Sequence, residues 1–504
     1  MKWSSYQKKI FDFVEKGKGS AVINAVAGSG KTTTCVEAAN RLHESQKVLF
    51  LAFNKSIVDE LKSRLTSPNI TCSTLHGYGF RCLRNANLVT NTTKVEEDKW
   101  RKYFKENLNR LNGHIFQNER SNDFKNELEK CVDLFNMCRI FCMPHQSDIS
   151  KIEEIDKRFG IMSSVETQNV VNDVLNVAYI LKPGQSIDFI DMLCVPVMNK
   201  TVHIKCPKYD FVFIDEAQDL SMAQQELMRL SLKEGGRFLA VGDPKQAING
   251  FAGALNDSFN RLKDLAGGKE LQLSVNYRCP KNVIEAAKEI VPIIKAHRGA
   301  SNGEIEHLTN LSAAAPGDMI ICRKSAPLIS IALKFVKKGK RAYIKGTELG
   351  KSLKKYVSAA VDNGDTYRAL IEVLDKEQKS IEKKIAAEKA TEKAMVAFEE
   401  KRAALIALMD EIDCPSEILP RIDLLFDDGD SADAIKLSTV HKAKGLEANN
   451  VFILCQECLP LEWKGQQEWE KEQEMNLKYV AITRAKKNLY WVDIEAKNIT
   501  DCEV

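Results

Sequence analysis

The segment at residues 20–34, SAVINAVAGSGKTTT, limits what this chain can fold into more than any other feature. Its apolar start at residues 21–23 predicts a buried strand, and the pattern from Cys35 onward predicts a helix. A strand, a glycine turn and a helix in that order are the context of a phosphate-binding loop. The backbone N–H groups of such a turn surround phosphates at the positive end of the helix.

Several side chains of this turn are candidates for nucleotide binding. Lys31 is expected to face the β and γ phosphates, and the Thr32 hydroxyl is expected to bind Mg²⁺. The general pattern G-x-x-x-x-G-K-[ST] has a glycine where this chain has Ala25. The alternative is a glycine-rich turn without nucleotide, but lysine and threonine follow the second glycine in the required order. The predicted phosphate-binding residues are Ala27, Gly28, Ser29, Gly30, Lys31, Thr32 and Thr33.

Composition sets the broad class of protein. A chain of 504 residues is too long for one core, and its length predicts roughly three or four domains or subdomains. A hydrophobic share of 44% and a charged share of 28% are typical of soluble globular proteins. The net charge of +4 is only mildly basic, so a polyanion would have to be bound by a local groove.

The sequence predicts no membrane segment. The N-terminus lacks the apolar core of a signal peptide, and no apolar run approaches the roughly 18 to 20 residues of a membrane span. We therefore expect the protein in the cytoplasm of a bacterial or phage-infected cell, or in the nucleus if it is eukaryotic.

The fourteen cysteines form no paired framework, which predicts reduced, mostly buried thiols. Cys131, Cys138 and Cys142 lie close together, and Cys455 and Cys458 form a C-x-x-C pair. A metal or iron-sulphur site is conceivable at either cluster, but no four-ligand spacing completes it.

Two further apolar runs end in residues suited to phosphate chemistry. Residues 209–214 are a predicted strand followed by Asp215 and Glu216. One carboxylate could hold Mg²⁺ and the next could orient and deprotonate water, so we assign these roles to Asp215 and Glu216 respectively. An acidic pair that merely caps the next helix is the alternative. Gln246 follows the run 238–243, where a sensor of the γ-phosphate would lie.

Aromatic, amide, hydroxyl and basic residues at other strand ends suit a nucleic acid. Such residues could hold its backbone and stack its bases, because ligands bind at the carboxyl ends of strands in α/β sheets. Each residue taken alone has a more ordinary explanation. The candidates in the first half of the chain are Phe53, Asn54, Lys55, Thr74, His76, Tyr78 and Phe251.

The motifs, taken together, resemble a known family. The segments AVAGSGKTTT, LAFNKS, STLHGYGF, FIDEAQDL, AVGDPKQAINGFAGA, LSVNYRCP, LSTVHKAKGLEANNVFIL and NLKYVAITRAKKNLYWV occur in the order seen in superfamily 1 DNA helicases of the UvrD/Rep/PcrA type. The resemblance implies an α/β protein with two RecA-like P-loop NTPase lobes, parallel sheets flanked by helices, and helical insertions. It also implies ATP and Mg²⁺ in the cleft between the lobes, with movement along single-stranded DNA from 3′ to 5′.

The resemblance further implies roles for individual residues. Gln7 and Tyr277 would hold the adenine, Glu447 the ribose, and Gly445 would lie beside the nucleotide. Arg278 and Arg484 would reach the γ-phosphate from the second lobe. The DNA-binding positions would include Thr439 and His441. The family usually has a tyrosine and an arginine where this chain has Asn249 and Ala252, so base contacts there would be weaker or shifted to Phe251.

The motif positions also predict the division of the chain. Residues 1–88 and 205–272 would form the first lobe, interrupted by a helical insertion at 89–204. Residues 273–349 and 431–504 would form the second lobe, interrupted by a short helical insertion at 350–430. Within the latter, residues 365–412 predict a solvated helical hairpin, or else an arm that binds a protein partner or duplex DNA.

The resulting hypothesis is an ATP-dependent DNA helicase or translocase that acts on single-stranded DNA and on junctions of single- and double-stranded DNA. A motor that strips proteins from DNA without unwinding it is the first alternative. An RNA-directed motor is another, because backbone tracking and stacking need not exclude a 2′-OH. The last alternative is a nucleic-acid clamp or scaffold that binds ATP without hydrolysing it. The sequence disfavours it, because all of the predicted catalytic residues are present: Lys31, Asp215, Glu216, Gln246, Arg278 and Arg484.

Overall fold

A computed structural model describes residues 2–111, 122–144, 147–248, 250, 257–386, 392–427, 429 and 433–504. Its contacts divide the chain into two compact units. Unit 1 comprises Met1–Ala25 and Gly30–Leu273, and unit 2 comprises Val26–Ser29 and Ser274–Val504. Each unit contains a parallel β-sheet with helices, as the α/β expectation requires.

The sheet of unit 1 has the strand order β3-β2-β4-β5-β1-β6, and all of its pairings are parallel. Its central strands are buried on both faces, which explains their unbroken apolar sequences. The strands are β1 (Ala21–Ala25), β2 (Val48–Ala52), β3 (Ile70–Thr74), β4 (Tyr209–Ile214), β5 (Leu232–Gly242) and β6 (Glu270–Leu273).

The helices of unit 1 flank this sheet or lie in the long connection between β3 and β4. Those near the sheet are α1 (Ser5–Lys16), α2 (Lys31–Asn40), α3 (Lys55–Arg64), α4 (Leu75–Asn85), α11 (Met222–Leu230) and α12 (Ser258–Leu265). Those of the connection are α5 (Lys99–Leu111), α6 (Asn122–Ile140), α7 (Ile149–Phe159), α8 (Val165–Ala178), α9 (Phe189–Met198) and α10 (Lys200–His203).

Helix α9 connects the inserted helices to the sheet by packing against α4, the helix that follows β3. It packs along α4, where Gly79 approaches the Met192 carbonyl so closely that a Cβ at position 79 would lie 1.8 Å from that oxygen. No side chain larger than hydrogen fits at this crossing. The inserted helices share one hydrophobic core with a face of the sheet, because Val22 and Val212 belong to the same buried cluster as Phe135.

A buried arginine stabilises the start of α9. Arg139 is 0% exposed and donates to both carboxylate oxygens of Asp188, at 2.8 and 2.7 Å, and to Asp191 at 2.6 Å. Asp188 and Asp191 also form the capping box of the helix. Lys99 adds a second cation to Asp191 at 2.7 Å. Two cations therefore compensate the two buried carboxylates, and buried charges require such compensation.

Unit 2 contains a sheet of order β12-β11-β13-β10-β14-β15-β9 and a separate β7-β8 pair, with parallel pairings throughout. Its strands are β7 (Val275–Asn276), β8 (Lys295–Ala296), β9 (Glu304–Leu308), β10 (Met319–Cys322), β11 (Ala342–Lys345), β12 (Phe426–Asp427), β13 (Ile435–Thr439), β14 (Ala448–Leu454) and β15 (Ala485–Val492). Its helices are α13 (Lys281–Lys288), α14 (Ser325–Lys337), α15 (Thr347–Asp362), α16 (Tyr367–Ala386), α17 (Glu392–Leu408), α18 (Ile418–Leu425), α19 (Val440–Ala443) and α20 (Glu468–Ile482).

Helices α16 and α17 form the predicted hairpin, apart from residues 387–391, which lie outside the described residues. Its apolar side is buried through Leu374, Phe398 and Leu405 in the core of unit 2. Lys393 of α17 also pairs with Glu470 of α20 at 2.7 Å. The hairpin is therefore packed onto its own unit, and its role as a partner-binding arm stays a prediction.

Among the described residues, no helix is both long and apolar enough to cross a bilayer. Within the same part of the chain, no group of three or more His, Cys, Asp or Glu side chains is arranged to hold a metal ion. The fourteen cysteines are free thiols, and most are buried.

We predict that Arg139→Met strongly destabilises unit 1, because it leaves the buried Asp188 carboxylate without its cation. Removing one partner of a buried pair costs about 3–5 kcal/mol. Urea denaturation, monitored by circular dichroism, should show a lower urea concentration at the unfolding midpoint of unit 1. The matched control is Arg101→Met, because the Arg101–Glu129 pair is about half exposed on both sides and contributes little. Equal midpoints for the two variants would contradict the stabilising role of Arg139.

Candidate functional site

The predicted catalytic residues of unit 1 lie at the carboxyl ends of neighbouring parallel strands. Asp215 follows β4, Gln246 ends the short 3-10 helix after β5, and the glycine turn follows β1. In the sheet order, β5 lies between β4 and β1, so these strand ends meet at one edge. This is the edge at which α/β sheets bind ligands.

The glycine turn has the backbone that its sequence predicts. Gly28 and Gly30 have φ angles of 61° and 75°, in the left-handed region that favours glycine. Gly30 caps helix α2, which begins at Lys31 without a side-chain cap on its first N–H groups. Free N–H groups at a helix start attract anions. The Ser29 hydroxyl is buried and has no hydrogen-bond partner among the described residues, which suits a phosphate oxygen.

One hydrogen bond connects the start of α2 to the end of β4. The Thr32 hydroxyl donates to Asp215 Oδ2 at 2.6 Å. Asp215 is 3% exposed, and its backbone N–H donates to the Leu51 carbonyl at 3.1 Å. The two residues predicted to share a metal ion are therefore in direct contact within unit 1.

The charges around Asp215 favour an added cation. Burial, followed by the neighbouring Glu216 charge, raises the pKa of the Asp215 carboxyl to about 6, although the Thr32 hydroxyl and Lys31 act to lower it. A divalent cation would compensate the two adjacent carboxylates. Hydroxyl and carboxylate oxygens are the ligands that Mg²⁺ prefers, so these side chains fit that ion.

Glu216 and Gln246 are held by their neighbours. Glu216 has φ 52° and ψ 44°, a left-handed backbone that is uncommon for a non-glycine residue. Its carboxylate accepts from Gln218 Nε2 at 2.6 Å. Gln246 is 5% exposed, and its Nε2 donates to Asp243 Oδ2 at 3.0 Å. The sequence analysis gave no role to Gln218, because nothing in the local sequence indicates that its amide contacts the Glu216 carboxylate.

Gln7 and Thr33 use their polar groups inside unit 1. The Gln7 amide accepts from the Ser4 backbone at 2.9 Å and donates to the Thr34 hydroxyl at 3.1 Å, so both of its ends are engaged. Thr33 accepts from Arg64 at 2.8 Å. The adenine contact of Gln7 stays a prediction that requires these bonds to exchange.

The residues 26–29 are held within unit 2. The Ala27 N–H donates to the Tyr479 hydroxyl at 2.9 Å, and the Ala27 carbonyl accepts from Asn276 Nδ2 at 2.7 Å. The Tyr277 N–H donates to the Gly28 carbonyl at 2.8 Å. Tyr277 itself is 44% exposed, with its ring 5.0 Å from that of His297. An exposed ring suits the predicted adenine contact, which stays a prediction.

Arg278 and Glu447 form an ion pair in unit 2. Arg278 Nε lies 2.6 Å from Glu447 Oε2, and Lys486 lies 2.5 Å from the other carboxylate oxygen. Burial acts to raise the pKa of Glu447, but the Lys486 hydrogen bond and the Arg278 charge lower it overall. The residues assigned to the γ-phosphate and to the ribose are therefore neighbours, and an arginine contact to phosphate would compete with this pair.

Arg484, the second predicted phosphate arginine, is 1% exposed. Its guanidinium donates to the Val480 carbonyl at 2.8 Å and to the Leu446 carbonyl at 3.1 Å. These bonds tie α20 to the turn at Gly445, which has φ 85° and is exposed. In this structure the Arg484 guanidinium bonds backbone carbonyls of its own unit, and its phosphate contact stays a prediction.

The predicted DNA residues of β2 and β3 lie beside one another. Ala52 pairs with Thr74 in the sheet, and Phe53, Asn54 and Lys55 follow directly. Phe53 is 47% exposed and Lys55 is exposed, as a stacking ring and a phosphate contact require. Asn54 and Thr74 cap helices α3 and α4 with their side chains, so part of their polar capacity is already used.

His76 has an aromatic neighbour that the sequence analysis did not identify. The Phe189 ring, at the start of α9, packs edge-on against the His76 ring at 5.7 Å and is 46% exposed. Burial lowers the pKa of His76, so its ring is neutral at physiological pH. Phe189 comes from the inserted helices, and only the fold brings it to the end of β3.

Tyr78 corrects the sequence expectation. It is 0% exposed, its hydroxyl donates to the Pro207 carbonyl at 2.7 Å, and its ring contacts Tyr209. Tyr78 is on the inner face of the amphipathic helix α4, whereas His76 is on the outer face. Tyr78 is therefore a core residue and does not belong to an exposed nucleic-acid surface.

The remaining DNA candidates belong to unit 2 or are not described. Thr439 caps α19, and His441 in that helix is half-buried. Burial and the Arg323 charge lower the pKa of His441 to about 3, so it would act as a neutral hydrogen-bonding group. The position of Phe251, together with Asn249 and Ala252, lies outside the described residues.

Comparison with known families agrees with this geometry. Residues 6–266 match the UvrD/REP helicase N-terminal domain, which covers β1 to β5 and the inserted helices. Residues 416–495 match the UvrD-like helicase C-terminal domain, and this range covers β12 to β15. The two matches fall on the two halves of the chain in the order that the motifs predict.

Individual relatives include proteins from bacteria and from yeast. The chain is 25% identical over 306 residues to an ATP-dependent DNA helicase PcrA from Leuconostoc citreum, covering 56% of this chain and 38% of the relative. It is 26% identical over 507 residues to F-box DNA helicase protein 1 from Schizosaccharomyces pombe, covering 94% and 56%. A probable DNA helicase from Mycoplasma pneumoniae is 23% identical over 511 residues, covering 95% and 82%.

The chain spans about half or less of the length of the first two of these relatives. What carries the assignment is the family match to residues 6–266, which are more than half of the 504 residues. On that match, and with RecA-like sheets carrying a phosphate loop and a strand-end acidic pair, the chain belongs to the UvrD/REP helicase family.

Proposed function

We propose that this chain is an ATP-dependent DNA helicase that moves along single-stranded DNA, and that Mg-ATP hydrolysis drives the movement. The observation that carries the proposal is the 2.6 Å hydrogen bond from Thr32 to Asp215. It brings the phosphate loop and the acidic strand end together, as nucleotide hydrolysis requires. Membership of a family whose members are named DNA helicases supports DNA as the substrate.

The residues of the glycine turn and of unit 1 divide the chemistry between them. The buried Ser29 hydroxyl, the Lys31 ammonium and the N–H groups at the start of α2 would bind phosphate oxygens. Thr32 and Asp215 would hold Mg²⁺, which when bound neutralises charge on the phosphates. Phosphoryl transfer depends mainly on positioning and charge stabilisation, so a rigid set of this kind is suited to it.

Glu216 would orient and deprotonate the attacking water, and Gln246 would contact the γ-phosphate. The left-handed backbone of Glu216 aims its carboxylate away from the direction that an extended strand would give it. Backbone strain of this kind is concentrated at functional sites. Arg278 and Arg484 would add positive charge to the γ-phosphate, and an arginine supplied in this way contributes about 10³- to 10⁵-fold in rate.

Phe53, His76 and Phe189 would form the base-contacting surface of unit 1. The Phe53 and Phe189 rings are nearly half exposed. Phe53 follows β2 and His76 follows β3, and these strands pair directly. Phe189 packs against His76. Aromatic rings bind bases of any sequence by stacking, which suits a motor that moves along a strand. Lys55, Thr439 and His441 would contact the sugar-phosphate backbone.

We predict that Lys31→Ala and Glu216→Gln abolish DNA-stimulated ATP hydrolysis while the protein stays folded. Loss of the general base should lower kcat by about 10²- to 10⁴-fold. A coupled ATPase assay at saturating single-stranded DNA measures this. The matched control is Glu234→Gln, because Glu234 is an exposed carboxylate on β5 and should leave the rate unchanged. Turnover that is equal in Glu216→Gln and wild type would reject the assignment of Glu216.

We predict that Phe189→Ala weakens binding of single-stranded DNA, because it removes a stacking ring. The loss should be about 1–3 kcal/mol, or roughly 5- to 150-fold in Kd. Fluorescence anisotropy with a labelled oligonucleotide measures it. Ile204→Ala removes another exposed apolar side chain of unit 1, 73% exposed, and should leave Kd unchanged. Equal affinities for the two variants would exclude Phe189 from the DNA surface.

We predict strand displacement on a duplex with a 3′ single-stranded tail and none on a 5′-tailed duplex. The assay is run beside release of a protein bound to single-stranded DNA, and with an RNA strand in place of DNA. Displacement of the bound protein without unwinding would show a remodelling motor instead. Equal activity on RNA would show that the substrate is not restricted to DNA.

A further inference from the structure

Gln218 lies between Glu216, the proposed general base, and Gln246, the proposed γ-phosphate sensor. It belongs to the motif FIDEAQDL, but the sequence analysis gave it no role. It belongs to the short 3-10 helix Ala217–Asp219 that follows Glu216, and it is 1% exposed. Both ends of its amide are bonded. Nε2 donates to Glu216 Oε2 at 2.6 Å and to Asp219 Oδ2 at 3.1 Å, while Oε1 accepts from the Asp243 N–H at 3.0 Å.

Asp243 carries this connection on to Gln246. The Asp243 carbonyl accepts from the Gln246 N–H at 2.8 Å, and Asp243 Oδ2 accepts from Gln246 Nε2 at 3.0 Å. The position of Gln246 therefore depends on Asp243, and the backbone of Asp243 is bonded to Gln218. A continuous set of hydrogen bonds runs from the Glu216 carboxylate to the Gln246 amide.

The backbone around Gln218 is shaped to allow these bonds. At Gly242, the last residue of β5, an added Cβ would lie 2.5 Å from Gln218 Oε1 and 3.0 Å from the backbone nitrogen of Gln218. Only glycine lets the amide approach the strand this closely. The left-handed backbone of Glu216 is strained and persists only where surrounding contacts hold it. The Gln218 amide is one such contact.

The chemistry of the amide is specific. It must donate to a carboxylate and accept from a backbone N–H at the same time, and a glutamine side chain does both. A glutamate at position 218 would still accept from Asp243 but would place a third carboxylate against Glu216 and Asp219. A methionine would fill similar space but offer neither bond.

We propose that Gln218 is a positioning residue for ATP hydrolysis, which fixes the Glu216 carboxylate relative to the γ-phosphate sensor Gln246. The proposal rests on the proposed function. The Gln218 amide bonds to protein groups, so its proposed role acts through them. Its contribution is geometric, and a misplacement of about 1 Å at such a site costs roughly 10²-fold in rate.

The test compares Gln218→Met and Gln218→Glu with wild type by ATPase assay at saturating single-stranded DNA. The expected result is a fall in kcat of about 10- to 100-fold with KM for ATP and half-saturation by DNA within about two-fold. Gln225→Met is the matched control, because Gln225 is a 0% exposed amide of the same unit that bonds Ser258. It removes a buried amide without touching Glu216 and should leave kcat near wild type, whatever its effect on Tm.

A double-mutant cycle separates positioning from a merely structural role. Single-turnover hydrolysis is measured for Gln218→Met, Glu216→Gln and the pair. If Gln218 acts through Glu216, the double variant is no slower than Glu216→Gln, and Gly242→Ala, which pushes on the amide from β5, reproduces the kcat loss of Gln218→Met.

Three results would overturn the proposal while leaving the proposed function intact. These are a kcat within two-fold of wild type in Gln218→Met, multiplicative losses in the double variant, and a kcat loss in Gln225→Met equal to that in Gln218→Met. A wild-type chain without DNA-stimulated hydrolysis would overturn the proposed function, and the positioning role with it.

Discussion

The hydrogen bond between Thr32 and Asp215 is the contact around which the candidate site of unit 1 is arranged. It requires an apolar strand that ends in a buried carboxylate and a helix that starts after a glycine turn, side by side in a parallel sheet. The carboxylate is costly to bury, and its raised pKa reports that cost. A hydroxyl at 2.6 Å and a nearby lysine reduce the cost, and a bound cation would reduce it further.

The same sheet edge carries the residues proposed to bind DNA. Strand β2 pairs with β4 on one side and with β3 on the other, so Phe53 lies between the end of β4 and Thr74. The Asp215 N–H bonds directly to Leu51, two residues before Phe53. A shift of Asp215, the proposed metal-binding acid, would therefore be transmitted to the start of the proposed DNA surface through one backbone hydrogen bond. We propose this adjacency as the physical basis for coupling hydrolysis to strand movement.

The strand, glycine turn and helix at residues 20–34 and the buried strand before Asp215 were predictable from local sequence, because each depends on residues that are neighbours in the chain. The α/β class of the two units followed from the resemblance of the motifs to a known family. Contacts between distant segments were not predictable in this way. Tyr78 and His76 are two residues apart, and only the packing of α4 decides which one is buried. Phe189 is the first residue of α9, whose start is stabilised by the Arg139 ion pairs, and it meets His76 because α9 packs along α4. Such residues are found from the fold and not from motifs.

The central claim, that hydrolysis and strand movement are one coupled process, is tested most directly by stopped-flow translocation kinetics. Single-stranded oligonucleotides of increasing length carry a fluorophore at the 5′ end, and ATP is added to the preformed complex. The account predicts that the time to reach the 5′ end increases linearly with length in wild type and that no such signal occurs in Lys31→Ala. An arrival time independent of length, with ATP still being hydrolysed, would contradict it.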